Sequence, residues 1–399
     1  MNDNRVLIVG AGPVGMVAAA RLVGAGIPVT VFEAGSALSK ESRASTFHPP
    51  TLDMLAEFGV TERLIDSGLI APFVQYRSRE DGILARFDFG EIAEMTSHPF
   101  RLQCEQWRLC EALYDKLKDE KDFEIFFNSR VTAVGQGPDG VLVTLGEGDE
   151  ARTRRGRWLI GADGASSVVR QSLGVGYDGF TWAERFLVLT TPFNLRELDP
   201  DLDTVTYVAD PDQWNFFLEI PRAWRVMFPV PKEMSDEEAL APDYGRGLMR
   251  KVLPQAEGDL PVEHRTLYRV HQRVADTFQR DRIFLAGDAA HINNPLGGMG
   301  MNGGIHDAVN LTGRMISVWK GEADEKSLDR YDLQRRKVTE EHVQVNTIQN
   351  KRDLEAKTQA DRDSYRDAMR ERMVDAGKRR EFLFRIGMFQ ALSRAEELG

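Results

Sequence analysis

Gly10, Gly12 and Gly15 stand in the spacing G-x-G-x-x-G, as GAGPVG, directly after the apolar run VLIV. Glycines so placed permit a tight turn (Gly10), close approach of a pyrophosphate to the backbone (Gly12) and close helix–strand packing (Gly15). A helix opening at that turn presents unpaired amides and a partial positive charge to phosphate oxygens. Eighteen residues past Gly15, Glu33 ends a second apolar run, PVTVFE, where a carboxylate can accept hydrogen bonds from ribose hydroxyls. Together these features point to a dinucleotide, and leave NAD and FAD equally open.

Two further segments carry related chemistry. In RWLIGADGASSVVR (157–170) an apolar run enters a Gly-Asp-Gly turn and then a helix, with Asp163 placed either to cap that helix or to serve a nucleotide. In RIFLAGDAAHINNPLGGMGMNGGIHDA (282–308) an apolar run delivers Asp288 into a turn, where its carboxylate can bind a hydroxyl of a ribityl or ribose chain. The glycine-rich run 297–304 then opens a long helix. Its first amides, around Gly300, Met301 and Asn302, would stabilise an anionic ring system held in the loop.

Such turns need a sheet to hold them. Residues 5–33 read as strand, turn, helix, strand, and helical periodicity recurs over 51–68 and 103–118. The segments 72–97 and 181–230 change texture to alternating, aromatic-rich runs (FLVLTTPF, TVTYV, WNFFLEI, WRVMFPV), which mark strands of largely antiparallel kind. A charged helix is expected over 232–252, a strand at 283–287, and helix almost throughout from 302. Near the end, Phe382, Leu383, Ile386 and Phe389 have the spacing of one helix face, expected to pack on the body or on a subunit rather than on a membrane surface.

Composition sets the outer bounds. The chain has 399 residues, 42% apolar and 28% charged, which excludes disordered and collagen-like readings and leaves room for two domains. With 62 acidic against 51 basic side chains and a net charge of −11, nucleic-acid binding is not expected without a local basic patch. Cys104 and Cys110 lack CxxC spacing, so neither a disulfide framework nor a metal site is expected, and the setting is reduced and cytoplasmic. Residues 6–20 are uncharged but short and broken by Gly10, Gly12, Pro13 and Gly15, so no transmembrane segment is expected.

In this order and at these separations, across residues 4–340, the three motifs resemble the FAD-dependent single-component aromatic hydroxylases, the family of para-hydroxybenzoate and phenol hydroxylases. The resemblance implies an α/β fold: a Rossmann-like FAD-binding domain (1–75, 98–180 and 265–330), an inserted mixed β-sheet substrate domain (76–97 and 181–264) and a C-terminal helical tail (331–399). Gly10, Gly12, Gly15 and Glu33 would hold the ADP half of FAD. Arg43, in SRAST, would contact its phosphate or sugar region, and Gln103, in RLQCEQWR, the flavin's linker. Asp163 and Arg170 would serve FAD and the nicotinamide cofactor, and Asp288 the ribityl chain. Pro295 would lie beside the reacting ring, and the amides of Met301 and Asn302, next to Gly300, would receive the flavin's pyrimidine oxygen. The family often has Leu-Asn where this chain has Met301-Asn302, a conservative change for a backbone contact.

The implied activity is a monooxygenation. NAD(P)H reduces the flavin, dioxygen adds to its 4a carbon, and the hydroperoxide passes one oxygen to a phenolic or hydroxylated N-heteroaromatic ring. No nucleophile is required, in keeping with the absence of GxSxG, and the residue that deprotonates the phenol is not assignable. His48, in FHPP, is the best histidine candidate near the flavin; His291 and His306 read as packing or capping residues. Tyr207, Trp214, Phe216 and Arg225 are the candidate acceptor contacts, alternating with Leu187, Leu189 and Met227 on strands of which half the side chains face a pocket. The expected partners are a small aromatic substrate and dioxygen, for a monomer or homodimer. Alternatives are a polycyclic or non-aromatic substrate, or a non-catalytic FAD-fold escort, which would not need the Asp288–Gly304 loop intact. A halogenase is disfavoured because its W-x-W-x-I-P segment is missing.

Overall fold

Val6–Val9 is an inner strand of a six-stranded sheet. Its order runs Gln279–Arg280, Ile283–Leu285, Trp158–Gly161, Val6–Val9, Val29–Phe32, Phe123–Phe126. All neighbours are parallel except the edge pair at Gln279–Arg280. Parallel strands are covered on both faces, which is why VLIV and WLIG are apolar without alternation and buried at every position. The computed structural model describes residues 4–41, 44–146, 148, 151–256 and 258–399. Pro13 opens the first helix, Pro13–Gly24, where its missing N–H has no intrahelical partner to lose.

A second sheet has eight strands: His291–Ile292, His264–Ala275, Tyr177–Thr191, Ala223–Val230, Asn215–Ile220, Val205–Ala209, Phe73–Ser78 and Gly82–Asp88, in that spatial order. Only Val205–Ala209 and Phe73–Ser78 run parallel; the other pairs are antiparallel, so the sheet is mixed. Its alternation sorts side chains between two cores. Leu187, Leu189, Trp224, Val226 and Phe228 pack with the helices Asp236–Leu240 and Pro242–Val252. Phe186, Tyr207, Trp214, Phe216 and Met227 form the other core, together with the C-terminal helices. A small antiparallel sheet, Thr46–Phe47, Arg101–Gln103 and Leu69–Ala71, lies in the first part of the chain.

The tail departs from the one-face reading. Phe382, Leu383 and Ile386 belong to the helix Ala376–Ile386, but Phe389 opens a new helix, Phe389–Glu397. Between them Met388 adopts a left-handed φ of 69°, which breaks the helical register. All four side chains are nonetheless buried in the aromatic core of the larger sheet, with Phe382 4.5 Å from Phe87 and 5.7 Å from Tyr76 between ring centroids. Cys104 and Cys110 are both buried free thiols. No described helix is long and apolar enough to cross a membrane.

Candidate active site

The three glycine turns leave the carboxyl ends of three neighbouring parallel strands. Val9 is paired with Gly161 and Gly161 with Leu285, so Gly10, Asp163 and Asp288 emerge side by side although up to 278 positions separate them in sequence. Ligands of open α/β sheets bind at these carboxyl ends. The turns interlock. Gly10 has φ +101°, and a side chain there would collide with the Ala162 carbonyl; one at Gly15 would collide with the carbonyl of Gly10. A Cβ on Gly12 would meet nothing within 4 Å, and the helix it caps has no side-chain cap, so its amides face open space.

Glu33 ends its strand half-buried, its carboxylate accepting from the Ala11 amide at 2.9 Å and the Gly35 amide at 2.7 Å. It thus ties the glycine turn to the second strand at the place where a ribose would lie. The next helix is capped by Ser167, and Asp163 supports that cap, accepting from Ser167 Oγ at 2.6 Å and the Val169 amide at 3.1 Å. Burial pushes its carboxyl above the ordinary range, and these hydrogen bonds oppose that shift. Arg170 donates from Nη1 to the Ala289 carbonyl (2.9 Å) and from Nη2 to the Ala165 carbonyl (2.8 Å), with the Tyr177 ring 3.8 Å from its guanidinium. Tyr177 in turn donates to the Asp288 carbonyl at 2.9 Å. Arg170 and Tyr177 therefore brace the second turn against the third, while Asp163 fixes the second turn itself.

Asp288 is exposed between the buried Gly287 and Ala289. Gly287 and Gly304 are small because both face Val14: Cβ atoms there would lie 2.9 and 2.7 Å from its Cγ2. Pro295 is exposed on the loop that follows, ahead of Gly297 and Gly298, whose φ values are +103° and +69°. The long helix Met299–Trp319 starts here, and the amides of Gly300 and Met301 fall in its first turn, which has no carbonyl one turn back to receive them. The Asn302 side chain is fully engaged, accepting from the His48 amide (2.9 Å) and donating to the carbonyls of Thr46 (2.8 Å) and Gly298 (2.7 Å). His48 lies behind this loop, fully buried, with Nε2 2.9 Å from the Gly297 carbonyl. Burial, reinforced by Arg101, holds its imidazole well below the usual histidine range, so it is neutral and donates from Nε2.

Gln103 is also fully buried. Its Oε1 accepts from Thr46 Oγ1 at 2.8 Å, and its Nε2 has no partner among the described residues. An orphaned buried donor of this kind suits a linker hydroxyl or phosphate oxygen. With the open space above Gly12, the carboxylate at the end of the second strand and exposed Asp288, the residues present fit FAD. Arg43 lies outside the described residues.

Tyr207, Trp214, Phe216 and Arg225 share the face of the larger sheet opposite Leu187 and Leu189. Tyr207 accepts from the Gly297 amide at 3.1 Å and stacks between Phe216 (4.7 Å) and Tyr76 (5.3 Å). Trp214 meets Phe186 edge-on at 5.1 Å. Arg225 reaches toward the smaller sheet instead, donating to Ser45 Oγ at 3.2 Å and lying 4.0 Å from Glu105.

Two residues absent from the sequence reading hold the third turn. Asp307, fully buried, accepts from the Gly287 amide (3.1 Å), His291 Nε2 (2.8 Å) and Arg335 Nε (2.6 Å). Its carboxyl is held at about 2, burial being overcome by His291 and Arg335. Asp307 stood inside the IHDA end of the third motif and so carried a signal; Arg335, on the helix Asp329–Val338, carried none.

The comparisons agree with this geometry. A family model described as FAD binding domain matches residues 3–346. The para-nitrophenol 4-monooxygenase of Pseudomonas sp. (strain WBC-3) is 36% identical over 337 residues, 84% of this chain and 83% of that one. The 6-hydroxy-3-succinoylpyridine 3-monooxygenase of Pseudomonas putida (strain DSM 28022 / S16) is 32% identical over 357 residues, 88% of each chain. The crystal structure of p-nitrophenol 4-monooxygenase from Pseudomonas putida DLL-E4 matches with a TM-score of 0.90 at 30% identity, over 98% of both chains. The chain belongs to the FAD binding domain family, on its branch of single-component FAD-dependent aromatic hydroxylases.

Proposed function

We propose that the protein uses NAD(P)H and dioxygen to hydroxylate a single-ring phenol or hydroxypyridine. The observation that carries this reading is the loop 294–298. It follows the Asp288 turn, opens the helix whose first amides face outward, and is bound through Gly297 to Tyr207 on the aromatic sheet face. One loop thus joins the cofactor side to the acceptor side. Bound FAD supplies the redox and oxygen-transfer chemistry; the chain's own groups bind, orient and exclude water.

Gly12 and the first turn of the helix Pro13–Gly24 would hold the pyrophosphate, Glu33 the ribose, Gln103 the linker, Asp288 the ribityl chain, and the Gly300–Asn302 segment the pyrimidine edge. Tyr207 and Phe216 would flank the acceptor ring, with Pro295 on its cofactor side. The tail closes the cleft that Tyr76, Tyr207, Tyr365, Met369 and Phe382 line, leaving room there for about one water molecule. One ring displaces fewer of these side chains than a polycycle would, which favours the smaller acceptor. That relatives act on nitrophenol and a hydroxypyridine, as their names state, supports the same class. The test is product identification: a ring bearing one added hydroxyl, formed in proportion to NAD(P)H consumed.

A further inference from the structure

Arg101 shares the strand Arg101–Gln103 with Gln103, and at i, i+2 spacing the two side chains leave the same face. Arg101 is 1% exposed. Nη2 donates to the Ile386 carbonyl at 2.9 Å and Phe89 lies beneath the group, but among the described residues Nε has no partner and no carboxylate pairs with the charge. A guanidinium buried without a counter-charge is strongly destabilising, so a site that retains one is built for an anion. One more unspent group adjoins it. The Tyr207 hydroxyl touches Arg101 and accepts from Gly297, which leaves its own proton to donate.

Tyr207 also lines the aromatic cleft, beside Tyr76, Tyr365 and Phe382. The geometry points to Arg101 as the fixed counter-charge for the acceptor's ionised ring oxygen, an assignment that rests on the ring hydroxylation proposed above. The phenol's O–H bond breaks as the ring enters, its proton going to solvent, and the oxygen takes hydrogen bonds from Arg101 Nε and the Tyr207 hydroxyl. An ionised oxygen feeds electron density to the ortho and para carbons, which an electrophilic oxygen donor requires. No side-chain base is then needed, and rings that ionise readily are the preferred acceptors. Of the other charges near the cleft, all from the tail, Asp353 lines it, and Arg372 and Arg385 stand 4.4 and 5.0 Å from the ring of Phe382, which also lines it. His48 is neutral and adds none.

The experiment is a pH titration of 4-nitrophenol bound to the FAD-loaded enzyme, followed by the visible absorbance of its anion. The bound phenol should ionise about one to three pH units below the free compound, the shift an opposite charge at close range produces. Arg101→Gln should return it to the free value or above, and Arg101→Lys, which keeps the charge, should restore most of the shift. Should Arg101→Gln not fold, the wild type decides alone: at fixed pH, affinity across a series of phenols must rise with their acidity. An unshifted phenol in the wild type, a shift that persists in folded Arg101→Gln, or affinity indifferent to acidity would each overturn the assignment. Ring hydroxylation of a phenol bound in neutral form overturns the counter-charge role and leaves the hydroxylation standing. Failure of every phenol to bind or react overturns both.

Discussion

Arg335 and Asp307 form a fully buried ion pair, 2.6 Å from Nε to Oδ1, that holds the helix Asp329–Val338 against the turn presenting Asp288. Removing one partner strands the other charge in the interior. Arg335→Met should therefore lower stability by about 3–5 kcal/mol. Because Asp307 also receives the Gly287 amide, the variant should release flavin at a lower temperature than the wild type. Thermal unfolding read by released-flavin fluorescence checks this. Arg335→Met with an unchanged midpoint would show that the pair braces nothing.

The glycines of the first turn separate folding from binding. Gly12→Val meets no protein atom within 4 Å of its Cβ, so the variant should fold with an unchanged far-ultraviolet spectrum, yet purify colourless because the pyrophosphate's place is filled. Gly10→Ala and Gly15→Ala collide with backbone carbonyls and should fail at folding instead. Asp288→Ala should resemble Gly12→Val: folded, with flavin occupancy largely lost. Stoichiometric flavin in either folded variant would mean that the corresponding contact was misassigned.

Much of this was legible because glycine turns carry chemistry in their spacing. VLIV–GAGPVG, WLIGADG and IFLAGDAA each announce a strand and a turn, and only the pairing of Val9, Gly161 and Leu285 was needed to bring them together. Alternation on the larger sheet was legible too, but not which half faces the cleft: Leu187 and Tyr207 look alike in sequence and lie in different cores. Arg335 and Arg101 were not legible, since a long-range partner leaves no local pattern. Phe389 misled for a local reason, because a left-handed Met388 has no glycine to mark it. The tail's place in the cleft was hidden for the same cause as Arg335: Phe382, Leu383 and Ile386 read as one apolar helix face until the sheet beneath them is known.

Two buried histidines make the fold sensitive to mild acid. His306, 2.9 Å from Thr51 Oγ1, has its imidazole held down to about 3 by burial and by Arg335, and His48 is shifted in the same direction. In the unfolded chain each protonates near its ordinary value of 6.5, so acid favours the unfolded state; the stability is fully present above that value and lost as pH falls below it. Between pH 7 and pH 5 His306 should contribute roughly 2 kcal/mol of loss, with His48 adding in the same direction. Urea unfolding at the two pH values checks this, and His306→Gln should flatten the dependence by about 2 kcal/mol. Equal stability of the wild type at both pH values would contradict the burial of neutral imidazoles.

The tail is expected to keep water out of the cleft. Phe382→Ala removes a ring packed against Tyr76 and Phe87 and should destabilise by about 3–5 kcal/mol. It should also raise the peroxide released per NAD(P)H oxidised, with flavin content unchanged, because solvent gains access to the acceptor side. Stability lost without extra peroxide would make the tail a structural cover only.

Coupled turnover tests the central assignment most directly. Purified, FAD-loaded protein is assayed for NAD(P)H oxidation across a panel of phenols and hydroxypyridines, with hydrogen peroxide measured in parallel. At least one ring compound should accelerate oxidation, yield a singly hydroxylated product and release little peroxide. Oxidation that no compound accelerates, or that every compound merely diverts to peroxide, would contradict hydroxylation of a single aromatic ring.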